Sequence, residues 1–253
     1  MGIDDHGLYL PELVLKKKYC HYIVSVLHRQ GDNPGETMKY YPIFLNVKDR
    51  RCLVAGGGRV GARKAETLLS AGALVTVVSP EFCDQLAAMT GVQKERRFFD
   101  PGDLEGVFLV FAATSDPAVN QRIQAEARKA GVLCNSADEP DQGDFILPAV
   151  MNRGDLICAV STCGASPALA RKIRMDLDQA YGPEYATFLM LMKRVREKLL
   201  AAGHDPDGHR RVFRALMEKD LPGLLAANDI PAVDAVLRDV LGSGFEVTVL
   251  IPQ

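Results

Sequence analysis

Three glycines, Gly56, Gly58 and Gly61, stand in G-x-G-x-x-G spacing inside the stretch RRCLVAGGGRVGARKAETLLSAGALVTVVS, Arg50 to Ser79. Each sits where a side chain would obstruct. Gly56 permits a tight turn, Gly58 lets a pyrophosphate approach the backbone, and Gly61 lets a helix pack close to a strand. The elements that such a turn requires flank it on both sides. Arg51 to Ala55 is a short apolar run suited to a strand buried on both faces. Val60 to Ala71 places Ala62, Ala65, Leu68 and Leu69 at helical spacing before Gly72 ends the helix, and Leu74 to Val78 is the next strand. N–H groups at the helix start would face phosphates. The candidate dinucleotide contacts are therefore Gly56, Gly57, Gly58, Arg59, Val60 and Gly61, with Ser79 and Pro80 where the second strand ends.

One expected part is missing. An acidic residue about 20 positions on normally holds the ribose hydroxyls, but this strand ends in Ser79-Pro80, and Glu81 is expected in the first turn of the next helix. No arginine cluster follows to hold a 2′-phosphate, which favours NAD over NADP.

The other elements repeat the alternation. A helix is expected over Glu81 to Met89, a strand near Arg96 to Phe99, and a helical turn at Pro101 to Asp103. The continuous apolar run Val107 to Ala113 is a central strand. Thr114 and Ser115 end it, well placed for a cofactor, and a helix follows from Pro117 to Ala130, with Asn120 either near the nucleotide or on a solvated face. Val132 to Asn135 is a further strand. Strands alternating with helices imply an α/β fold with a Rossmann-type parallel sheet.

Beyond Asp144 the pattern changes. Phe145 to Met151 and Leu156 to Ser161 read as a hairpin around Asn152 to Asp155. A helix runs from Pro167 to about Tyr181, Gly182-Pro183 breaks it, and the rest is helical to about Leu241, with Phe245 to Ile251 as a strand or tail. The Met-rich stripe FLMLMKRVREKLL is expected to be core. The expected divisions are 1–38, a flexible extension ahead of Met38; 39–144, the nucleotide domain; 145–182, a small α+β unit; and 183–253, helical.

At 253 residues, 47% hydrophobic and net charge −2, the chain holds a sizeable α/β core, and the charge argues against general nucleic-acid binding. Basic residues of the helical tail are interleaved with Glu197, Glu218 and Asp220, which makes a solvated surface. The six cysteines form no C-x-x-C pair and suit buried thiols in a reducing cytoplasm. No apolar run is long enough to span a membrane.

Three motifs in order, YPIFLNVKDRRCLVAGGGRVGARKAETLLSAGA, FAATSDPAVNQRI and CNSADEPDQGDFILPAVMNRGDLICAVSTCGASPALARKIR, resemble the precorrin-2 dehydrogenase/sirohydrochlorin ferrochelatase family, the dehydrogenase part of siroheme synthases. The resemblance is close from Tyr40 to about Tyr181 and loose in the helical tail. It implies NAD-dependent oxidation of the tetrapyrrole precorrin-2 to sirohydrochlorin and, in some members, insertion of Fe2+ to give siroheme. It also implies a homodimer whose dimerisation domain follows Asp144.

On this resemblance Asp138, in the segment Asn135 to Asp138, is the catalytic candidate, either a proton acceptor or a group that orients the macrocycle. From the residues alone the favoured reading is a loop carboxylate closing an Asx turn near Pro140, and it is the resemblance that reverses this. Asn135, Ser161, Thr162, Ser166 and Arg171 are the substrate candidates, because a loop at a helix start followed by Arg171, Lys172 and Arg174 suits a polycarboxylate. Ser166 is also an ordinary helix N-cap, and the basic residues also suit a solvated face. Family members often carry a second glycine where this chain has Cys163. No metal-ligand cluster occurs at coordinating spacing, and the five histidines lie outside the matched core. An NAD(H)-sensing module without turnover is the alternative, and it would need neither Asp138 nor the Ser161–Arg174 loop and helix. A dehydrogenase for a small acid would need a His–Asp pair or a catalytic Lys that the nucleotide domain does not show.

Overall fold

Five short strands form one parallel sheet in the computed structural model of the chain, which describes residues 38–137, 142–203 and 206–251. The extension before Met38 and the catalytic candidate Asp138 lie outside the described residues. Contacts divide the chain into Met1–Ile43 and Phe44–Gln253. Residues 38–43 of the first unit carry no helix or strand, and the architecture below is that of the second.

β1 (Arg51–Ala55) lies at the centre, between β2 (Leu74–Val78) and β4 (Leu109–Ala112); β3 (Val92–Glu95) and β5 (Leu133–Ser136) are the edges, giving the order β3-β2-β1-β4-β5. Because successive side chains alternate across a sheet, Val54, Val77 and Phe111 face one side, where α1 (Arg59–Ser70) and α2 (Asp84–Ala88) pack. Leu53, Ala55, Val78 and Val110 face the other, where α3 (Pro117–Ala130) packs through Ile123 and Ala127. Both faces are covered, so the central strands are continuous apolar runs. Asp116 caps α3 by accepting from Ala118 N at 2.9 Å, and Gly131 ends the helix at φ +67°.

β3 lies at Val92–Glu95, not at Arg96 to Phe99, and α2 starts at Asp84, so Glu81 precedes the helix instead of joining its first turn. Lys94 locks this edge by donating from Nζ to Ala87 O and Met89 O, both at 2.7 Å, at the end of α2. Beyond β3, Arg97 holds Asp103 through paired bonds of 2.6 and 2.9 Å, and Asp100 N donates to Asp103 at 2.8 Å.

Burial raises the Asp103 carboxyl, but the Arg97 hydrogen bond, the Asp100 N–H and the Arg97 charge outweigh it and hold its pKa below the usual range. A carboxylate with a depressed folded pKa stabilises above its unfolded pKa of about 4 and loses that contribution as pH falls through the folded value. Asp103→Asn is expected to lower stability by about 1 kcal/mol at neutral pH, a figure held down by the exposure of Arg97. The difference should shrink in urea melts below about pH 4; a deficit equal at both pH values would overturn the ion-pair origin.

β6 (Ala149–Arg153) and β7 (Leu156–Val160) form an antiparallel hairpin, turning at Gly154-Asp155 with Gly154 at φ +66°. This turn is tighter than the expected four residues. Arg153 ties the hairpin to α4 (Pro167–Ala180): its guanidinium donates to Asp178 Oδ1 at 3.0 Å and to Tyr181 O at 3.0 Å, and Arg174 grips the same carboxylate. The helical part consists of α5 (Glu184–Ala201), α6 (Pro206–Met217), α7 (Leu221–Ala226), α8 (Ile230–Leu241) and α9 (Val247–Leu250). Its core holds Leu191, Met192 and Val195 of the Met-rich stripe, with Leu216, Leu221 and Leu237. The last apolar piece is therefore a short helix closing this core through Leu250, not a strand.

Candidate active site

The candidate nucleotide residues converge at the carboxyl ends of β1, β2 and β4, where the strand order reverses direction about β1, the place where open α/β sheets take ligands. The glycine jobs separate by space. A Cβ on Gly56 would stand 2.2 Å from Ala113 O, at φ +126°, and one on Gly61 would stand 2.0 Å from Gly56 O. Both glycines are required by the fold itself. A Cβ on Gly58 would meet nothing within 4 Å, so its open side is available to a ligand.

Gly58 is also the N-cap of α1 and offers no side chain to it. The first N–H groups of a helix have no intrahelical partners, so those of Arg59, Val60 and Gly61 are left to an anion, and phosphate suits them in charge and donor geometry. The exposed Val60 lies at this edge.

Gly57 has a role that spacing did not reveal. A Cβ there would fall 1.9 Å from Glu81 O and 2.8 Å from Ser79 Oγ, and Cys83 N donates to Gly57 O at 2.8 Å. The segment after β2 thus folds down onto the glycine turn. Ser79 is buried and donates its N–H to Glu95 O at 3.1 Å, whereas Pro80 and Glu81 are exposed.

At the end of β4, Asn120 is neither a solvated helix residue nor a free ligand group. It is 1% exposed. Its Oδ1 accepts from Thr114 N at 3.0 Å and Thr114 Oγ1 at 2.8 Å, and its Nδ2 donates to Thr114 O at 3.2 Å. Asn120 therefore clamps the turn leaving β4. The polar groups of Thr114 serve that clamp, leaving exposed Ser115 as the outward hydroxyl of the pair.

On β5, Asn135 is 5% exposed and donates from Nδ2 to Phe145 O at 2.8 Å, which fastens the segment leading out of the sheet. Asp144 pins the same segment: its N–H donates to Cys134 O, and its Oδ2 accepts from Cys134 N, both at 2.8 Å. This pin has no sequence signal, because the Asp144 carboxylate reaches back across ten residues to Cys134 rather than along a helix. Of the chain neighbours of Asp138, Ser136 is buried at the carboxyl end of β5 and Ala137 N donates to Ala112 O at 2.9 Å.

The substrate candidates Ser161, Thr162 and Ser166 form their own turn ahead of α4. Ser161 Oγ accepts from Cys163 N at 3.0 Å, Thr162 Oγ1 from Ser166 N at 3.1 Å, and Ser166 Oγ caps the helix by accepting from Leu169 N at 3.3 Å. Each oxygen is used as an acceptor, which leaves each O–H a donor, the type that carboxylates require. Arg171 is exposed, whereas Lys172 and Arg174 pair with Asp176 and Asp178. The three basic residues are thus not equivalent: among the described residues Arg171 makes no ion pair.

Cys163 adopts φ +51° in this turn, a left-handed conformation that glycine takes without strain. Unlike the buried thiols expected from composition, it is exposed. Burial pushes Cys52 and Cys134 up to about 11, against a smaller lowering by Arg50 at Cys52 and with the Asp144 charge adding to the rise at Cys134. At pH 8 that leaves each with roughly 100-fold less thiolate than an ordinary thiol. Among the described residues, iodoacetamide is expected to label Cys163 first and Cys52 and Cys134 last, read by peptide mass spectrometry. Comparable rates at all three would contradict the burial.

Residues 43–149 match a family of NAD(P)-binding domains. The chain is 46% identical over 208 residues to a siroheme synthase of Nitrosomonas eutropha, an alignment covering 81% of this chain and 43% of that protein. It is 38% identical over 184 residues to a siroheme synthase of Methylococcus capsulatus, covering 72% and 39%. It therefore spans less than half the length of these relatives. The solved structure of SirC, a precorrin-2 dehydrogenase, superposes with a TM-score of 0.64 at 26% identity, covering 79% of this chain and 98% of that one.

Proposed function

The chain belongs to the family of siroheme synthases and precorrin-2 dehydrogenases, and from that premise we propose that it oxidises precorrin-2 to sirohydrochlorin with NAD+. The reaction consumes precorrin-2 and NAD+ and yields sirohydrochlorin, NADH and a proton. The observation that carries the reading is the open cradle at Gly58 with the uncapped start of α1 beside it. NAD+ supplies the hydride acceptor when bound. The chain's own residues do the rest: Gly56 to Gly61 seat the pyrophosphate, and Ser79, Pro80 and Ser115 border the nucleotide. Asn120 fixes the turn at Thr114, and Asp138 accepts the proton or orients the macrocycle. The donor hydroxyls of Ser161, Thr162 and Ser166, with Arg171, hold substrate carboxylates.

In this reading residues 39–144 form the nucleotide domain, 145–182 the dimerisation and substrate domain, and 183–253 the helical domain. A homodimer is supported by the outer face of the hairpin, where Val150 and Ile157 are 47% and 45% exposed, because a two-stranded sheet is marginal until its apolar face is covered. Free thiols suit a cytoplasmic setting, and no helix among the described residues is long and apolar enough to cross a membrane. Iron enters only as a second substrate, as in some members of the family.

The test is an anaerobic absorbance assay with precorrin-2 and NAD+, followed by Fe2+ beside a no-enzyme control, with molar mass from light scattering. Sirohydrochlorin formed only with both protein and NAD+ is the expected result, and siroheme formed faster than in the control would add the iron step. NAD+ binding without oxidation would replace the dehydrogenase with a nucleotide sensor.

A further inference from the structure

α1 carries a lysine that no step above uses. Lys64 is half-buried, with Nζ 5.3 Å from the centroid of the Phe111 ring. Phe111 meets Phe145 edge-on, centroids 5.6 Å apart and planes at 80°, and the Phe145 carbonyl is the one Asn135 holds at 2.8 Å. Phe111 and Asn135 are register partners on β4 and β5, so their side chains point to the same face. Lys64, Phe111, Phe145 and Asn135 thus form one connected group on the α1 side of the sheet, at the strand that leads to Asp138.

This is an unusual place for an ammonium. Burial, and then the neighbouring Arg63 charge, hold its pKa below the ordinary lysine range, and no carboxylate among the described residues offsets them. An aromatic face returns only about 0.5–2 kcal/mol to a desolvated cation, so the group is better satisfied when an anion arrives. Phe145, half-buried beside it, is the aromatic side chain with surface to offer the body of a flat macrocycle with carboxylates at its rim, and Phe111, 4% exposed, backs it from the core.

We propose that Lys64 anchors one carboxylate of the tetrapyrrole, with the half-buried Phe145 as the apolar contact beside it. This rests on the precorrin-2 reading and adds to it a specificity-determining residue in the nucleotide domain itself. A rim carboxylate fixed from α1 and others held at the Ser161–Arg171 turn would set the macrocycle's orientation between two elements distant in sequence.

The experiment compares Lys64→Met, which keeps the apolar stem, with Lys64→Arg, which keeps the charge, in the full chain. Sirohydrochlorin binding is followed by its own absorbance, NADH binding by NADH fluorescence, and precorrin-2 oxidation by KM and kcat separately. Lys64→Met is expected to weaken sirohydrochlorin binding and raise KM by about 10- to 100-fold, the worth of one charge-assisted hydrogen bond. NADH affinity and kcat should stay within about threefold, and Lys64→Arg should recover most of the loss. The wild-type tetrapyrrole affinity should fall more steeply with salt than that of Lys64→Met. Unchanged tetrapyrrole affinity in Lys64→Met, or a collapse of kcat at constant KM, would overturn the anchor and leave the dehydrogenase reading standing. A wild-type chain that neither binds nor oxidises the tetrapyrrole would overturn both.

Discussion

Gly58→Asp is expected to abolish nucleotide binding while leaving the fold intact. Gly58 has φ −79° and ψ −176°, which any residue adopts, and the space beyond its Cα is empty to 4 Å. An aspartate there would be a favourable N-cap for α1, better than glycine by only about a few tenths of a kcal/mol as a cap, with about 0.3–1 kcal/mol more because its carboxylate supplies the negative charge that the helix start otherwise takes from a ligand. The same carboxylate would occupy and repel the pyrophosphate position. Stability and binding should therefore move in opposite directions: a melting temperature equal to or above wild type, with NADH affinity lower by at least about 100-fold. Gly61→Ala is the contrasting control, since its methyl would collide with Gly56 O and cost the fold. Fluorescence titration with NADH, together with thermal melts, checks both. Retained affinity in Gly58→Asp would refute the glycine-turn assignment.

Asp138→Ala is expected to leave NADH binding within about twofold of wild type and to cut turnover by about 10²–10⁴, the range of a positioned acid–base group. The expectation combines the family motif with the surroundings of its chain neighbours: Ser136 ends β5 at the carboxyl edge, and Ala137 is still bonded to β4. Asp138→Asn separates the two roles left open for the carboxylate. A group that only orients the macrocycle survives as an amide with moderate loss, whereas a proton acceptor does not, and its acidic limb in the pH–rate profile disappears. Near-normal turnover in Asp138→Ala would remove the residue from the mechanism.

The glycine turn was legible because its constraints are local and steric: spacing, a flanking apolar strand and a helix at the right distance admit few other structures. Central strands β1, β2 and β4 were legible for the same reason, being buried on both faces and therefore continuously apolar. The edge strand β3 was misplaced because VQKE has no apolar pattern. It is held by pairing with β2 and by Lys94 gripping α2, while the more strand-like RRFF next to it leaves Phe98 77% exposed.

The sequence by itself determined the order of elements, the glycine turn and the family. Only the tertiary structure decided which polar groups are left for ligands. Asn120 and Thr114 satisfy each other, Gly57 is closed over by Ser79 and Glu81, and among the described residues Arg174 and Lys172 pair with acids while Arg171 does not. It also placed Lys64 against Phe111, a residue on a different element. Local spacing constrains the backbone, but the partner of a polar side chain is set by what the completed fold brings within hydrogen-bonding reach.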